Sequence, residues 1–321
     1  MTTLITFLVS AIRLGMTLLF GATGETITEK SGHLNLGIPG TMCVGAAFGC
    51  VAESIYYTSS SGRMIPFLAV LIPIIATFVG GALMGLLYSF FTVTLRANQN
   101  VTGLVLTTLG VGISNYMIAQ VKVKAFTFAV ASKYFTASLP FAKSLGWFGE
   151  LFLNYGAMIY LAIAVALLTS FVMNKTRLGL HLRAVGENPA TADAAGINVA
   201  AYRYGATCIG CGVAALGGLT FVMDYLGGTW EYVIDQIGWL SVALVIFMAW
   251  RPNYGILCAI IFGAFYVASS YIPGINLQTK ELFKMLPYLV TIAVLIVTSI
   301  RDRKEDQPPA GLGLNYYREE R

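Results

Sequence analysis

The sequence predicts an all-α, polytopic membrane protein of about nine transmembrane helices (8–10), with a discontinuous second helix and a short helical insert on its cytoplasmic side. Two observations carry that class. Only 11% of the 321 residues are charged and 57% are hydrophobic, whereas a soluble domain carries about 25% charged residues. The apolar runs are also close to the ~20 residues that a helix needs to cross a bilayer. They lack the ~10-residue alternating segments of membrane-spanning strands.

In chain order the expected spans are residues 3–24, 36–56, 65–95, 101–120, 155–173, 201–224, 236–250, 254–272 and 284–300. The first lacks a basic leader and a small-residue cleavage site, so it is read as a retained helix. The second opens on "NLGIPGTMCVGAAFG", where Gly37, Pro39 and Gly40 cluster. Proline lacks an N–H, and non-helical backbone at membrane depth survives only where protein or water satisfies it. That stretch is either a broken, cavity-lining helix or an ordinary kinked start. The glycines of "GGALMG" (Gly81, Gly85) and of the sixth span (Gly205, Gly210, Gly212, Gly217, Gly218) are read as sites of close helix approach. The basic residues Lys175, Arg177, Arg183 and Arg203, and Arg301, Arg303 and Lys304 after the last span, put both segments in the cytoplasm and the N-terminus outside. The loop 121–154, with Lys122, Lys124, Lys133 and Lys143, runs against that rule and is expected to be external.

The chemistry on offer is sparse. No H-E-x-x-H, G-x-S-x-G or Walker A pattern occurs, and the two histidines, His33 and His181, fall in expected loops. Catalytic and metal sites are therefore not expected. Nucleic acid is not an expected partner for a net charge of +5 spread over loops. Cys208 and Cys211 form a C-x-x-C inside an apolar run and are read as packing residues rather than a redox or zinc pair. Within the spans the clear charge is Arg13. Asp224 and Glu231 flank "YLGGTW" and, with Asp235, are placed at an external turn in solvent.

The insert "TRLGLHLRAVGENPATADAAGINV" is the informative stretch. Asn188 suits an N-cap, with Pro189 in the first helical turn. The alanines that follow favour helix, and Gly196 can end it. Upstream, "GLHLRAVGE" forms a second short helix ending near Gly186. The result is a compact helical knob at the membrane surface, with side chains small enough for another protein to approach.

This insert resembles the coupling segment of bacterial ABC importer permeases, in the superfamily that serves ribose, branched-chain amino acids and nucleosides. "GETITEKSGHLNLGIPGTMCVGAAF", "RANQNVTGLVLTTLG" and the tail "PPAGLGLNYYREER" are similar to further motifs of that family, the tail to its nucleoside branch. The resemblance implies one permease domain over 1–321, a coupling segment at 176–199 and a cytoplasmic tail at 301–321. It implies no cofactor in this chain, with ATP and Mg bound by a partner ATPase. The other implied partners are a second, longer permease, an extracytoplasmic substrate-binding lipoprotein and the lipid bilayer. Carried over by motif, Arg183, Ala184, Gly186, Glu187, Asn188, Pro189, Ala190 and Gly196 form the ATPase-coupling element. A nucleoside pathway needs amide and hydroxyl groups plus aromatic faces; Asn35, Asn100, Thr102, Thr107, Asn115, Gln236 and Trp239 are its candidates, with Phe90 and Tyr116 as further aromatic surfaces. The family's glycine-arginine-rich segment before the seventh span is replaced here by "EYVIDQIGWLSVAL", which leaves riboflavin or a simple sugar as alternative cargo. An ion-coupled secondary transporter is the competing class; it requires buried carboxylates and internal repeats, neither of which is evident in the sequence.

Overall fold

The computed structural model describes residues 2–121, 124–138, 146–274, 276–301 and 307–317. Its first apolar run forms one helix, α1 (Thr2–Glu29), which continues past the expected end at residue 24. The polar turn "GETITE" stays helical because it is enclosed by protein rather than by headgroups. Glu25, Thr26 and Thr28 are fully buried, and the Thr26 hydroxyl donates to the Ala22 carbonyl at 2.7 Å.

A non-helical segment, 30–37, leads into α2 (Ile38–Ser59). Helix α2 is continuous, which corrects the expected break within it. Pro39 lies in its first turn, where the missing N–H has no intrahelical partner to lose. Gly40 is regular helix whose missing side chain admits α4; a Cβ there would lie 2.5 Å from the Leu106 carbonyl oxygen. The irregular backbone lies before the helix and ends at Gly37.

Helix α3 (Pro66–Ser89) ends in a π-helical turn, Phe90–Thr94, and α4 (Gln99–Gln120) returns. The expected external loop contains two short helices, α5 (Lys124–Phe135) and α6 (Gly146–Phe152). In α5, Phe128, Ala131 and Phe135 recur at helical spacing and are buried in the core. Lys122 and Lys143 lie outside the described residues. Next come α7 (Ala157–Lys175), α8 (Arg177–Glu187), α9 (Pro189–Ala194) and α10 (Val199–Thr220), the last ending in a second π turn, Phe221–Tyr225. Helices α11 (Ile234–Phe247), α12 (Pro252–Tyr271), α13 (Leu277–Lys284) and α14 (Leu286–Arg301) complete the bundle.

Among the described residues, eight helices are long and apolar enough to cross a membrane. The expected span that is not among them is the seventh, 236–250, which is α11: its 14 residues reach about 21 Å at 1.5 Å per residue, short of the ~30 Å hydrocarbon core. The non-helical stretch 226–233 precedes it.

Helix α10 is the axis of the bundle, packed by α1, α2 and α3. At its crossing with α1, the Cβ that Gly24 lacks would sit 2.2 Å from the Gly210 carbonyl oxygen. Backbone meets backbone there, as in small-residue membrane crossings. Gly81 and Gly85 of α3 and Gly217 and Gly218 of α10 serve the same purpose, whereas Gly212 makes room for the Phe78 ring. Gly205 does not, because nothing lies within 4 Å of its Cβ position. Two expectations about charge and loops are also overturned. His181 lies in α8 rather than in a loop. Asp224 is not in solvent: it is 2% exposed and faces Arg13, which also neighbours Tyr155. Packing of α5 and the π turn over the end of α10 encloses it.

Candidate coupling element and the polar network beneath it

The 176–199 knob is built by local capping. Thr176 accepts from the Gly179 N–H at 3.2 Å to start α8. Asn188 Oδ1 accepts from the Thr191 N–H at 3.0 Å to start α9, and Pro189 occupies the first turn. Gly196 closes it with φ +84°, a left-handed conformation that favours glycine. Val185, Ala192 and Val199 form a small core under the knob, with Ala184, Tyr202 and Tyr316 packed against it.

The eight coupling candidates divide between two faces. Arg183, Glu187, Asn188 and Gly196 are exposed, and Pro189 and Ala190 are half-buried. Ala184 and Gly186 point inward. Gly186 is small for the benefit of its own chain: a Cβ there would meet the Lys30 carbonyl oxygen at 2.3 Å. Its carbonyl accepts from the Gly311 N–H at 2.9 Å. Glu187 is likewise engaged by the tail, accepting from the Ala310 N–H at 3.2 Å.

The tail residues 307–317 thus return to the knob and strap it to two loops. Gly313 N–H donates to the Gly32 carbonyl at 3.1 Å, and Tyr316 donates to Asp193 at 2.7 Å. Asn315 donates to the Arg96 carbonyl at 2.8 Å and accepts from Gln99. Arg303 and Lys304, counted as cytoplasmic in the sequence, lie outside the described residues, as do 318–321 at the end of the tail motif.

Beneath the knob, the 30–37 segment sits in a buried polar network. Glu25 accepts from the Asn35 N–H at 3.2 Å. Asn35 in turn accepts from the Gly37 N–H at 2.9 Å and donates to Cys211 at 3.3 Å. Tyr88 donates to the Leu34 carbonyl at 2.7 Å, and Gln99 accepts from the Leu34 N–H at 2.9 Å. The Trp250 indole N–H donates to Glu29, and His33 pairs with Thr207 at 3.1 Å. Burial, then the Arg203 guanidinium, pushes the His33 imidazole well below its ordinary range. Burial also lowers the Lys30 ammonium, against the pull of Glu187 and Glu29.

The substrate-pathway candidates do not converge. Asn35 and Thr107 hold the 30–37 segment, the latter donating to the Leu36 carbonyl at 2.8 Å. Thr102 donates to the Asn98 carbonyl of its own helix at 2.8 Å, and Asn100 is exposed at that same end of α4. At the opposite end, Asn115 accepts from the Trp230 indole at 3.4 Å. Exposed Gln236 and half-buried Trp239 lie in the first turns of α11. Phe90 and Tyr116 are exposed on the outer faces of α3 and α4. Sequence reasoning missed the buried carboxylates Glu25, Glu29 and Glu53. The signal available for the first two was their i, i+4 spacing in a helix with no stop residue before Lys30.

The geometry is that of a multi-pass helical membrane protein that presents a compact helical knob at one end of its bundle. Residues 7–295 match the family described as "Branched-chain amino acid transport system / permease component", and the chain belongs to it. It is 32% identical over 87% of both chains to the nucleoside ABC transporter permease protein NupC of Lactococcus lactis subsp. cremoris. It is 30% identical, over the same shares, to the guanosine ABC transporter permease protein NupQ of Bacillus subtilis. A third relative is the putative glucose ABC transporter permease protein TsgC13 of Haloferax volcanii, at 31% over 91% of each.

Proposed function

We propose that this chain is the membrane-spanning subunit of an ATP-driven importer of nucleosides, purine nucleosides foremost, in the cytoplasmic membrane. The observation that carries the reading is the α8–α9 knob, with Arg183 and Asn188 outward and Gly186 seated on the 30–32 backbone. Such an element takes a push from a cytoplasmic partner and passes it to the spans. The cargo follows from the two nucleoside and guanosine permease relatives. A separate ATPase binds ATP and Mg and engages Arg183, Asn188, Pro189, Ala190 and Gly196. A second, longer permease completes the pathway, and an extracytoplasmic lipoprotein delivers substrate. Asn115, Gln236 and Trp239, with Trp230, line the outer part of the route, where amide groups meet base edges and indoles stack on them.

A second reading, sugar transport, rests on the glucose-permease relative. One experiment separates the two: chain-dependent uptake of labelled guanosine with unlabelled adenosine, cytidine, glucose, ribose and riboflavin as competitors. Competition by purine nucleosides alone supports the proposal, and competition by glucose replaces the cargo. The ATP-driven part is tested separately by copurification of an ATPase. Arg183→Glu should abolish it, since Arg183 is exposed and its reversal leaves the fold intact. A chain that transports without any ATPase refutes the mechanism.

A further inference from the structure

The geometry points to a binding site for an anionic phospholipid of the cytoplasmic leaflet, formed by two adjoining cavities beside the knob. The first is polar, about 410 Å³, and is lined by Thr92, Arg96, Asp193, Asn198, Arg203 and Tyr316. The second is apolar, about 610 Å³, and is lined by Phe48, Leu83, Leu87, Phe90, Ile113 and Tyr204. They lie near each other along two elements: Phe90 of the π turn lines the apolar cavity and Thr92 the polar one, while consecutive Tyr204 and Arg203 of α10 divide in the same way. A headgroup-sized polar compartment at the knob end of the bundle thus lies beside an acyl-sized compartment on the outer side of α3 and α4, where Leu83 and Phe90 are about half exposed.

The charge argument comes from Arg203. Its side chain is 2% exposed, and it forms no ion pair among the described residues. One terminal nitrogen donates to the Leu314 carbonyl at 3.3 Å, and its Nε is buried without a partner. A buried guanidinium without a counter-ion costs several kcal/mol, so an oxyanion in the cavity it lines is strongly favoured. The first turn of α10 adds the positive end of a 22-residue helix to the same cavity. Asp193, the acid in that lining, accepts from the Tyr316 hydroxyl. Phosphate chemistry fits the polar compartment, and the apolar compartment beside it, exposed on the outer side of α3 and α4, assigns the phosphate to a lipid. Anionic cytoplasmic-leaflet lipids are drawn to basic pockets of this kind.

The test uses the full chain with the subunits that copurify with it. The complex is delipidated and titrated with phosphatidylglycerol or phosphatidylcholine of matched acyl chains, and bound lipid is counted by native mass spectrometry. The expected result is a preference of about tenfold or more for phosphatidylglycerol, the worth of one charge-assisted hydrogen bond. Arg203→Gln should erase that preference. Leu83→Trp, at a half-exposed groove position that tolerates bulk, should reduce retention of both lipids and remains informative if the first variant does not fold. Equal retention of the two lipids by the wild-type complex overturns the proposal. So does displacement of phosphatidylglycerol by millimolar inorganic phosphate, which would assign the polar cavity to a free anion. A photo-crosslinker at position 83 that captures a protein subunit instead of lipid also overturns it, because the groove would then be a subunit interface.

Discussion

Gly186→Ala should separate the knob from the bundle while leaving both folded. The added Cβ would lie 2.3 Å from the Lys30 carbonyl oxygen, whereas a relaxed carbon–oxygen contact is about 3.3 Å. The neighbours must therefore part by about 1 Å. Neither side is a flexible side chain, because Lys30 presents its backbone and Gly186 is itself part of α8. Overpacking of this kind costs about 1–3 kcal/mol, and parting the surfaces also strains the 2.9 Å Gly311–Gly186 hydrogen bond, worth about 1 kcal/mol. The sum, about 2–4 kcal/mol, falls on the docking of α8 rather than on the transmembrane core. The assay compares guanosine uptake with the ATPase activity of the same reconstituted complex. The expected outcome is uptake reduced about tenfold or more with ATP hydrolysis largely kept, and faster hydrogen exchange in 177–187 and 308–314. Gly205→Ala is the control. Nothing lies within 4 Å of its Cβ position, so it should leave uptake intact. If Gly186→Ala transports as well as wild type, the seat of α8 on the 30–32 backbone does not transmit movement.

Three further outcomes follow from the same geometry. Asn188→Ala removes the cap on the Thr191 N–H and should destabilise α9 by about 1 kcal/mol, read as faster exchange in 189–195 that Asn188→Asp restores. Gly24→Val drives a side chain into the Gly210 carbonyl and should abolish recovery of folded protein. Gly205→Ala, with empty space at its Cβ position, should hold or raise the melting temperature through its better helix propensity; equal behaviour of these two variants would refute the α1–α10 crossing. His33 has a folded-state pKa pushed below its ordinary value, so the unfolded chain takes up a proton first as pH falls through about 6.5. Stability from this group is complete above that value and is lost below it, by up to about 1.4 kcal/mol per pH unit. The difference in melting temperature between wild type and His33→Gln should therefore shrink between about pH 7.5 and pH 5.5, and a constant difference would show that His33 titrates normally.

The parts of this architecture that obey local rules were legible in the sequence. The knob is one: an Asn cap, a proline in the first turn and a closing glycine act within a few residues, so reading them needs no knowledge of neighbours. The spans were legible for the same reason, apolar length being a local property. What escaped reading depends on long-range enclosure. Glu25 and Glu29 look like the polar end of a span until 30–37, α10 and Trp250 close around them. Asp224 looks like part of a surface turn until α5 covers it, and α5 itself was hidden in a loop whose lysines suggested solvent. Gly186 has the same origin, since its partners are more than a hundred residues away on either side.

Under the proposed coupling role, those distant partners also explain how the knob acts as a lever. A lever transmits displacement only if its connection is stiffer than the element it moves. Between α8 and the 30–32 segment the connection is backbone on backbone, Gly186 against Lys30. It is doubled by the tail, whose Gly311 and Gly313 amides bond the Gly186 and Gly32 carbonyls. The 30–37 segment is in turn bonded to α3 through Tyr88, to α4 through Gln99 and Thr107, and to α10 through Asn35 and His33. A displacement of α8 by 1 Å, of the size that Gly186→Ala imposes, must therefore be shared by α1, α3, α4 and α10 or break these bonds. The irregular backbone between α1 and α2 is where the rest of the bundle is fastened to the knob, which gives the buried Glu25, Asn35 and Tyr88 a mechanical reason to be there without contact to cargo.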